Sequence, residues 1–384
     1  VVAARASAQT CFVEATGDNT TDYSGNGSDA LQAAVNAASS GATLKIAGTC
    51  TGVQTVAGHT QTVSVGKALT LVGGYAAGNW GVAPDPVANP TVLDAGGAGR
   101  VAFVTPSGNL TLRNLVLQNG SSSFGGAVWH EGPLVLENCL VQGNSAIAGG
   151  GIWVQGGSLT VRRSSFVGNT ATTNSGGAIN NSGLPMVIEH ATFSGNSAAV
   201  EGGAVTGANA PMSIRFSTFS DNSASSGGGL TATADFTLYA NIIANSTGGG
   251  DCAEIGAGPV DGGYNLIEDG SCLGAPTSLS GDPALDVLAA NGGVGPTHAL
   301  QQTSPARDAI PANVNGCGVD GAADQRGVLR GQDAGCDLGA IETYVPVATD
   351  DAYTVVEDGT VSGNVVTDDT GNGVDSDIDS STLT

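Results

Sequence analysis

The strongest constraint on the fold is an internal repeat of about 25 residues between Leu110 and Thr247. Six copies of one pattern occur there, and each copy runs from an apolar stretch to an asparagine. The copies are LTLRNLVLQNG, LVLENCLVQGNSA, LTVRRSSFVGNTA, MVIEHATFSGNSA, MSIRFSTFSDNSA and FTLYANIIANSTG. Self-similarity at a fixed period of this size indicates a stack of equivalent supersecondary units.

Each unit reads as short β-strands. Apolar residues alternate within the runs, as in Leu134 with Leu136 and Leu159 with Val161. A period of two means a strand with one buried face, and the copies show no helical periodicity. We therefore expect an all-β protein in which each copy forms one coil of a parallel β-helix, roughly 4.8 Å from the next.

Stacking should place equivalent residues above one another. Three phenylalanines share one position and should form an internal aromatic stack: Phe166, Phe193 and Phe219. The asparagines that end the runs should form a buried, hydrogen-bonded ladder at a turn. They are Asn119, Asn144, Asn169, Asn196, Asn222 and Asn245.

One external row alternates in charge and should form a ladder of ion pairs: Arg113, Glu137, Arg162, Glu189 and Arg215. Opposite charges on neighbouring strands stabilise by roughly 0.2–1 kcal/mol each. A second external row is flat and partly hydroxylated: Thr111, Val135, Thr160, Val187, Ser213 and Thr237. Ordinary β propensity explains that row better than a platform for sugar or ice.

Catalytic patterns are weak in the repeat. Glycoside hydrolysis needs two carboxylates roughly 5–10 Å apart, and no two acidic residues occupy one position in adjacent coils. His130 and His190 occur singly, and we expect both at the surface.

Composition excludes other classes of function. The formal net charge is −23, with 11 basic residues in 384, so clustered phosphate contacts with nucleic acid are not expected. No apolar run is long enough to span a membrane.

Six of the seven cysteines fall into near pairs that predict disulfides of an oxidising compartment: Cys11 with Cys50, Cys252 with Cys272, and Cys317 with Cys336. None has the spacing of a zinc or redox motif. Cys139 takes a position held by Ser164, Ala191 and Ser217 in later copies, which predicts a small buried side chain.

Five segments are expected along the chain. Residues 1–10 resemble the end of a secretory signal. Residues 11–50 form an N-terminal cap whose helix starts near Asp29, with Gln32 as capping partner. Coils fill residues 51–285, a closing module takes residues 286–345, and residues 346–384 are a separate tail.

The closing module contains clustered charges: Arg307, Arg326, Arg330, Asp308, Asp324, Asp333 and Asp337. They could form a site for an anion or a sugar acid. A buried network of ion pairs that closes the far end of the solenoid is favoured, because the cluster lies where the repeat stops.

The repeats GGAVW…LENCLVQGNSA and GGGIWV…RRSSFVGNTA resemble right-handed parallel β-helix proteins of bacterial surfaces, including the polymorphic outer-membrane-protein type. The segment DQRGVLRGQDAGCDLGAIE resembles the C-terminal module of secreted bacterial β-helix proteins with variable surface anchors. The resemblance covers residues 11–342 and implies a fold and a secreted or cell-surface location, but no particular activity.

The tail resembles the start of the cadherin-like or immunoglobulin-like repeats of bacterial adhesins, which run DDAY…EDG…DSDID. The resemblance implies calcium at Asp375, Asp377 and Asp379, although a solvated acidic linker is an equal alternative. Such a domain needs about 100 residues. Either the segment continues beyond this sequence, or it completes a sheet on another copy and builds a filament.

The sequence thus predicts a non-enzymatic extracellular protein with a structural or adhesive role. Its expected partners are other copies, joined head to tail through residues 346–384, or glycans and other cell-surface ligands. The alternative is a β-helix that binds or cleaves a polysaccharide as a lyase or hydrolase.

Overall fold

A computed structural model describes residues 10–343, except 208–209, 233–234, 257, 315, 320–321 and 332–333. The chain folds into a parallel β-solenoid of about 8 turns, with a single helix, which confirms the predicted fold class. Within the described residues, no helix has the length and apolar character needed to cross a bilayer.

Three long parallel sheets form the walls of the solenoid. Sheet 1 contains Ala42–Thr51, Ala68–Tyr75, Asn109–Arg113, Leu134–Glu137, Leu159–Arg162, Met186–Glu189, Met212–Arg215, Phe236–Tyr239 and Val260–Asp261. Sheet 2 contains the end of Ala42–Thr51, then Val92–Asp94, Val116–Gln118, Leu140–Gln142, Ser165–Val167, Thr192–Ser194, Thr218–Ser220, Ile242–Ala244 and Leu266–Ile267.

Sheet 3 contains His59–Val65, Arg100–Val104, Val128–His130, Ile152–Val154, Ile179–Asn181, Val205–Gly207, Leu230–Ala232 and Cys252–Glu254, with Gln54–Val56 antiparallel at its edge. A small sheet 4 contains Ser121–Phe124, Ser145–Ala148, Thr170–Ala171 and Ser197–Ala198.

The core lies inside the coils because every long strand turns alternate side chains inward. In sheet 1, Leu134 is in register with Leu110 below and Leu159 above. These inward residues are fully or almost fully buried, whereas Val135 between Leu134 and Leu136 is only partly buried. The two-residue alternation in the sequence therefore sets both the burial and the register of the stack.

The N-terminal cap covers one end of this core. Strands Cys11–Glu14 and Tyr23–Gly25 pair antiparallel, and the first also pairs with Ala42–Thr51. The helix Ser28–Ala37 buries Leu31 in the core. Because Ala42–Thr51 already belongs to the first coil, the solenoid begins before residue 51, where the sequence had placed its start.

The predicted capping box of that helix is wrong. Gly27 is the N-cap residue and no side chain caps the first turn, so Asp29 lies inside the helix. Gln32 instead accepts a hydrogen bond from the Ser64 backbone N–H and donates one to the Ser64 carbonyl. Its amide ties the helix to sheet 3.

The closing module does not close the far end, which is a second correction. There, Leu279 pairs through its backbone with Asn265 and Ile267, beside the Cys252–Cys272 disulfide. The module, which includes the antiparallel strands Ile310–Pro311 and Gly335–Cys336, runs back along the outer face of sheet 2.

Polar side chains on the outer face of sheet 2 hold the module in place. Thr192 donates to the Gln325 amide oxygen over 2.6 Å, and the same amide donates to Ser165 over 2.6 Å. Thr218 accepts a hydrogen bond from the Ala340 N–H over 2.9 Å. Sheet 2 is therefore covered on both faces across several coils, and these three outward hydroxyls are buried.

Candidate functional site: an arginine-lined cleft

Four buried asparagines form the predicted ladder at the turn after sheet 2. The side-chain amides of Asn144, Asn169 and Asn196 each donate to the next asparagine, over 2.9, 2.9 and 3.0 Å, and Asn222 ends the series. The side-chain amides of these asparagines use their hydrogen bonds within the turn, so the row has few free groups for a ligand.

Asn119 and Asn245 are not part of this ladder, contrary to the prediction. Asn119 aligns with Gly143, and both have left-handed φ angles, of 55° and 60°. The first copy has the order Asn-Gly where the second has Gly-Asn, so Gly120 takes the ladder position and donates to Asn144. Asn245 is displaced in the same way, because Ser220 is in register with Ala244.

The predicted phenylalanine stack is present inside the coils. The rings of Phe166, Phe193 and Phe219 stack in parallel, with centroids 4.8 and 4.6 Å apart. Cys139 is a free, fully buried thiol in the turn between sheets 1 and 2. In the equivalent turns of later coils, Asn241 donates to Asn265 over 3.0 Å. This short second ladder was not predicted from the sequence.

The charge row lies on the outer face of sheet 1, in the expected register. Glu189 binds Arg162 over 3.0 Å and Arg215 over 2.6 Å. Glu137 binds Arg113 over 2.8 Å, but its second partner is Arg163 over 2.6 Å rather than Arg162. Arg163 begins the turn with a left-handed φ of 48°, so its side chain leaves the row.

The charges of the closing module form buried ion pairs. Arg330 binds Glu342 over 3.0 Å, and Arg326 binds Asp324 over 2.8 Å. Arg330 also lies over the ring of Phe216, 4.4 Å from its centroid. Arg307 is not part of these pairs, and Asp333 lies outside the described residues.

Both histidines were placed wrongly by the sequence reasoning. His130 points into the core and is fully buried, and burial lowers its pKa to about 4. His190 stacks on Phe216 beneath the module, where burial and then the charges of Arg330 and Arg215 lower its pKa to about 2. His130 shares the inward face of its strand with Val128, whereas His190 is covered by Arg330 of the closing module, which is distant in sequence.

A cleft of about 560 Å³ lies where the loop before Val92, the turn after sheet 1 and the closing module meet. Its lining residues are Pro86, Val87, Arg113, Asn114, Glu137, Asn138, Arg163, Gly293, Gln325, Arg326 and Gly327. Asn138 donates to Asn114 over 2.8 Å within this lining. We call this site the arginine cleft.

The arginine cleft gathers positive charge. Three of the nine arginines in the chain line it. Arg326 is paired with Asp324, so among the described lining residues Arg113 and Arg163 face one carboxylate, Glu137. The side chains of Arg113 and Arg163 are 51% and 39% exposed, so N–H groups that Glu137 does not use can meet a ligand. Burial would raise the pKa of Glu137, but the hydrogen bond from Arg163 and the nearby guanidinium charges hold it below its usual value.

A separate cluster of carboxylates lies in the N-terminal cap. Oxygens of Glu14, Asp18 and Asp22 lie within 4.8 Å of one another. Glu14 binds Lys45 over 3.2 Å, and Asp22 accepts hydrogen bonds from the backbone of Ala15, so internal contacts already engage both groups. The predicted calcium ligands Asp375, Asp377 and Asp379 lie outside the described residues, as does the whole tail.

The three predicted disulfides are confirmed, with S–S distances of 1.99 Å for Cys11–Cys50, 1.95 Å for Cys252–Cys272 and 2.11 Å for Cys317–Cys336. They fasten the N-terminal cap, the far end and the closing module, respectively. Three disulfides indicate an oxidising environment.

No protein-family model, curated protein or solved structure matches this chain. The described fold is a parallel β-solenoid, and any assignment of function depends on the geometry of its own residues.

Proposed function

We propose that this protein is an extracellular, non-enzymatic β-solenoid that attaches to acidic saccharides through the arginine cleft. One observation carries the proposal: Arg113, Arg163 and Arg326 line the same cleft in a chain whose net charge is −23. Asp324 already pairs with Arg326, and Glu137 is shared by Arg113 and Arg163. One carboxylate therefore faces two exposed guanidinium groups, and a carboxylate-bearing ligand supplies the second counter-charge.

The ligand class follows from the chemistry of guanidinium groups. They bind planar carboxylates with two parallel hydrogen bonds, each stronger than a neutral one. The cleft volume falls within the range of small-molecule sites. The acidic surface repels a long polyanion, although at physiological salt this repulsion is screened beyond about 8 Å. A single uronic acid residue, or the end of a chain, is therefore the best fit.

The acidic side chains of the cleft suit attachment to a saccharide better than cleavage of it. Glycoside hydrolysis needs two carboxyl groups, one of them with a raised pKa that lets it act as an acid. Among the described residues that line the cleft, Glu137 is the only acidic one, and its pKa is lowered. Glu137 holds Arg113 and Arg163 in place, so that their guanidinium groups can orient a ligand.

Calorimetric titration with a short oligogalacturonate tests the proposal, with its methyl ester as the uncharged control. Arg163→Gln should weaken binding about 10-fold or more, because a charge-assisted hydrogen bond contributes about 1.5–3 kcal/mol. Arg215→Gln is the matched control, because Arg215 also forms a 2.6 Å ion pair and lies outside the cleft.

Two outcomes would overturn the proposal. Equal binding of the acid and its methyl ester would remove the role of charge. Release of shortened or unsaturated products from the oligogalacturonate would make the protein an enzyme, as in the alternative reading.

The filament hypothesis depends on residues 346–384, which lie outside the described residues, and it stays a prediction from the sequence. Electron microscopy of the full chain tests it. Only monomers in such images would remove it without affecting the arginine cleft.

A further inference from the structure

An aromatic patch covers part of the outer face of sheet 3. Phe103, Trp129 and Trp153 are in register in three successive coils. His59 stacks on Phe103 with ring centroids 4.3 Å apart, and Phe124 lies 4.9 Å from Trp153. We call these five side chains the aromatic platform.

The aromatic platform is unusual for this chain. Only 4% of its residues are aromatic, and two of its three tryptophans lie here. Trp129 and Trp153 are partly exposed and Phe124 is 36% exposed. Neighbouring aromatic rings that stay partly exposed are typical of a surface that binds a ligand.

Arg100 lies beneath the aromatic platform and is only 4% exposed. Its guanidinium carbon is 4.9 Å from the centroid of Trp129, and one of its N–H groups donates to Ser122 over 2.8 Å. Its Nε atom has no hydrogen-bond partner. Burial lowers its pKa to about 10, so Arg100 stays charged at neutral pH.

Among the described residues, no carboxylate pairs with this guanidinium group. Within the part of the chain that the structure describes, Arg100 is the only buried arginine or lysine that has no acidic group within 4.0 Å. The equally buried Arg330 has Glu342. Buried charges are normally paired, because an isolated charge loses its hydration without gaining a partner.

These features complement a ring with one apolar face and an anionic substituent. The ring face of a pyranose carries carbon-bound hydrogens that pack on indole and phenyl rings. A carboxylate on that ring would meet the positive field of Arg100, whereas an ammonium group would be repelled. The Trp153 indole N–H donates to Gln155 over 2.8 Å, which places a polar amide beside the ring for sugar hydroxyls.

We propose that the aromatic platform is a second site for the acidic saccharide, so that one protein molecule holds two chains and cross-links them. The ligand class rests on the proposed function of the arginine cleft. The cleft lies at the turn between sheets 1 and 2, whereas the aromatic platform lies on sheet 3, and the two sites share no residue. Two chains can therefore be bound on different faces.

Stoichiometry in a calorimetric titration with a short oligogalacturonate tests this inference. The full chain should bind two molecules, Trp153→Ala and Arg163→Gln one each, and the double variant none. Arg100→Met should weaken the aromatic-platform site about 10-fold while keeping most of the packing volume. Asn180→Ala is the matched control, because Asn180 follows Trp153 in the same outward row and lies outside the aromatic platform.

The outcomes separate the two proposals. One site in the full chain, lost in Arg163→Gln and kept in Trp153→Ala, would reject the aromatic platform and leave the cleft. One site kept in Arg163→Gln and lost in Trp153→Ala would reject the cleft. No binding at all would reject both.

Cross-linking has its own readout. The full chain should raise the viscosity of a dilute polygalacturonate solution, and neither single-site variant should do so. Unchanged viscosity with two occupied sites would reject the cross-linking.

Discussion

Two sets of arginine–carboxylate ion pairs in the molecule differ in burial. On the outer face of sheet 1, Glu137 and Glu189 bind arginines whose side chains are 39–51% exposed. Within the closing module, Arg330 and Glu342 are each 1% exposed. Equal distances therefore do not mean equal energies: water screens the first cluster, whereas the second is paired away from water.

The largest effect should come from breaking the buried pair. Arg330→Met leaves the Glu342 carboxylate buried without its partner, which should lower the free energy of unfolding by about 3–5 kcal/mol. Arg215→Gln, in the exposed row, should cost less than about 1 kcal/mol. Urea denaturation of both variants measures the difference, and similar losses would invalidate the contrast. The double variant Arg330→Met with Glu342→Leu should regain much of the stability.

The asparagine ladder allows the same comparison of buried and exposed positions for uncharged side chains. Asn169→Ala removes the amide that binds Val141 and Asn196 inside the turn, which should cost roughly 2–3 kcal/mol. Asn119→Gly keeps the left-handed φ of 55° without strain at the exposed position beside the ladder, so it should change stability by less than about 0.5 kcal/mol. A large loss in Asn119→Gly would restore Asn119 to the ladder.

The smallest effect concerns pH. Because the folded pKa of His190 is lowered to about 2, unfolding takes up a proton below the unfolded value of 6.5. Its contribution is therefore present above pH 6.5 and declines as pH falls, by about 1 kcal/mol between pH 6.5 and 5.5. His130 acts in the same direction down to about pH 4. Urea midpoints across this range should fall less steeply in His190→Asn, and an unchanged slope would contradict the burial of His190.

The sequence was sufficient for the solenoid because its determinants are local. The alternation around Leu134 and the 25-residue spacing set inward faces and register together. The ladder was misplaced by one position in two copies, since Asn119 and Asn245 are asparagines next to the ladder position.

The arginine cleft could not be predicted from the sequence, because its lining residues come from segments that are far apart along the chain. Arg113 and Arg326 are separated by more than two hundred residues, and only the path of the closing module brings them to one cleft. That path depends on Ser165, Thr192 and Thr218, whose polarity suggests exposure until their partners are known. The role of Arg163 was not predicted either, because the repeat pattern aligns its neighbour Arg162 with Glu137 in the charge row.

The position of the closing module has a consequence for how the molecule resists force and proteolysis. Stacked repeats normally contact only their neighbours, so they can unravel one at a time. A segment fastened to Ser165, Thr192, Thr218 and Ala240 acts as a splint across four coils, which should then open as one unit. Fraying under tension should begin outside the splint, and the protein should fail in two steps instead of coil by coil.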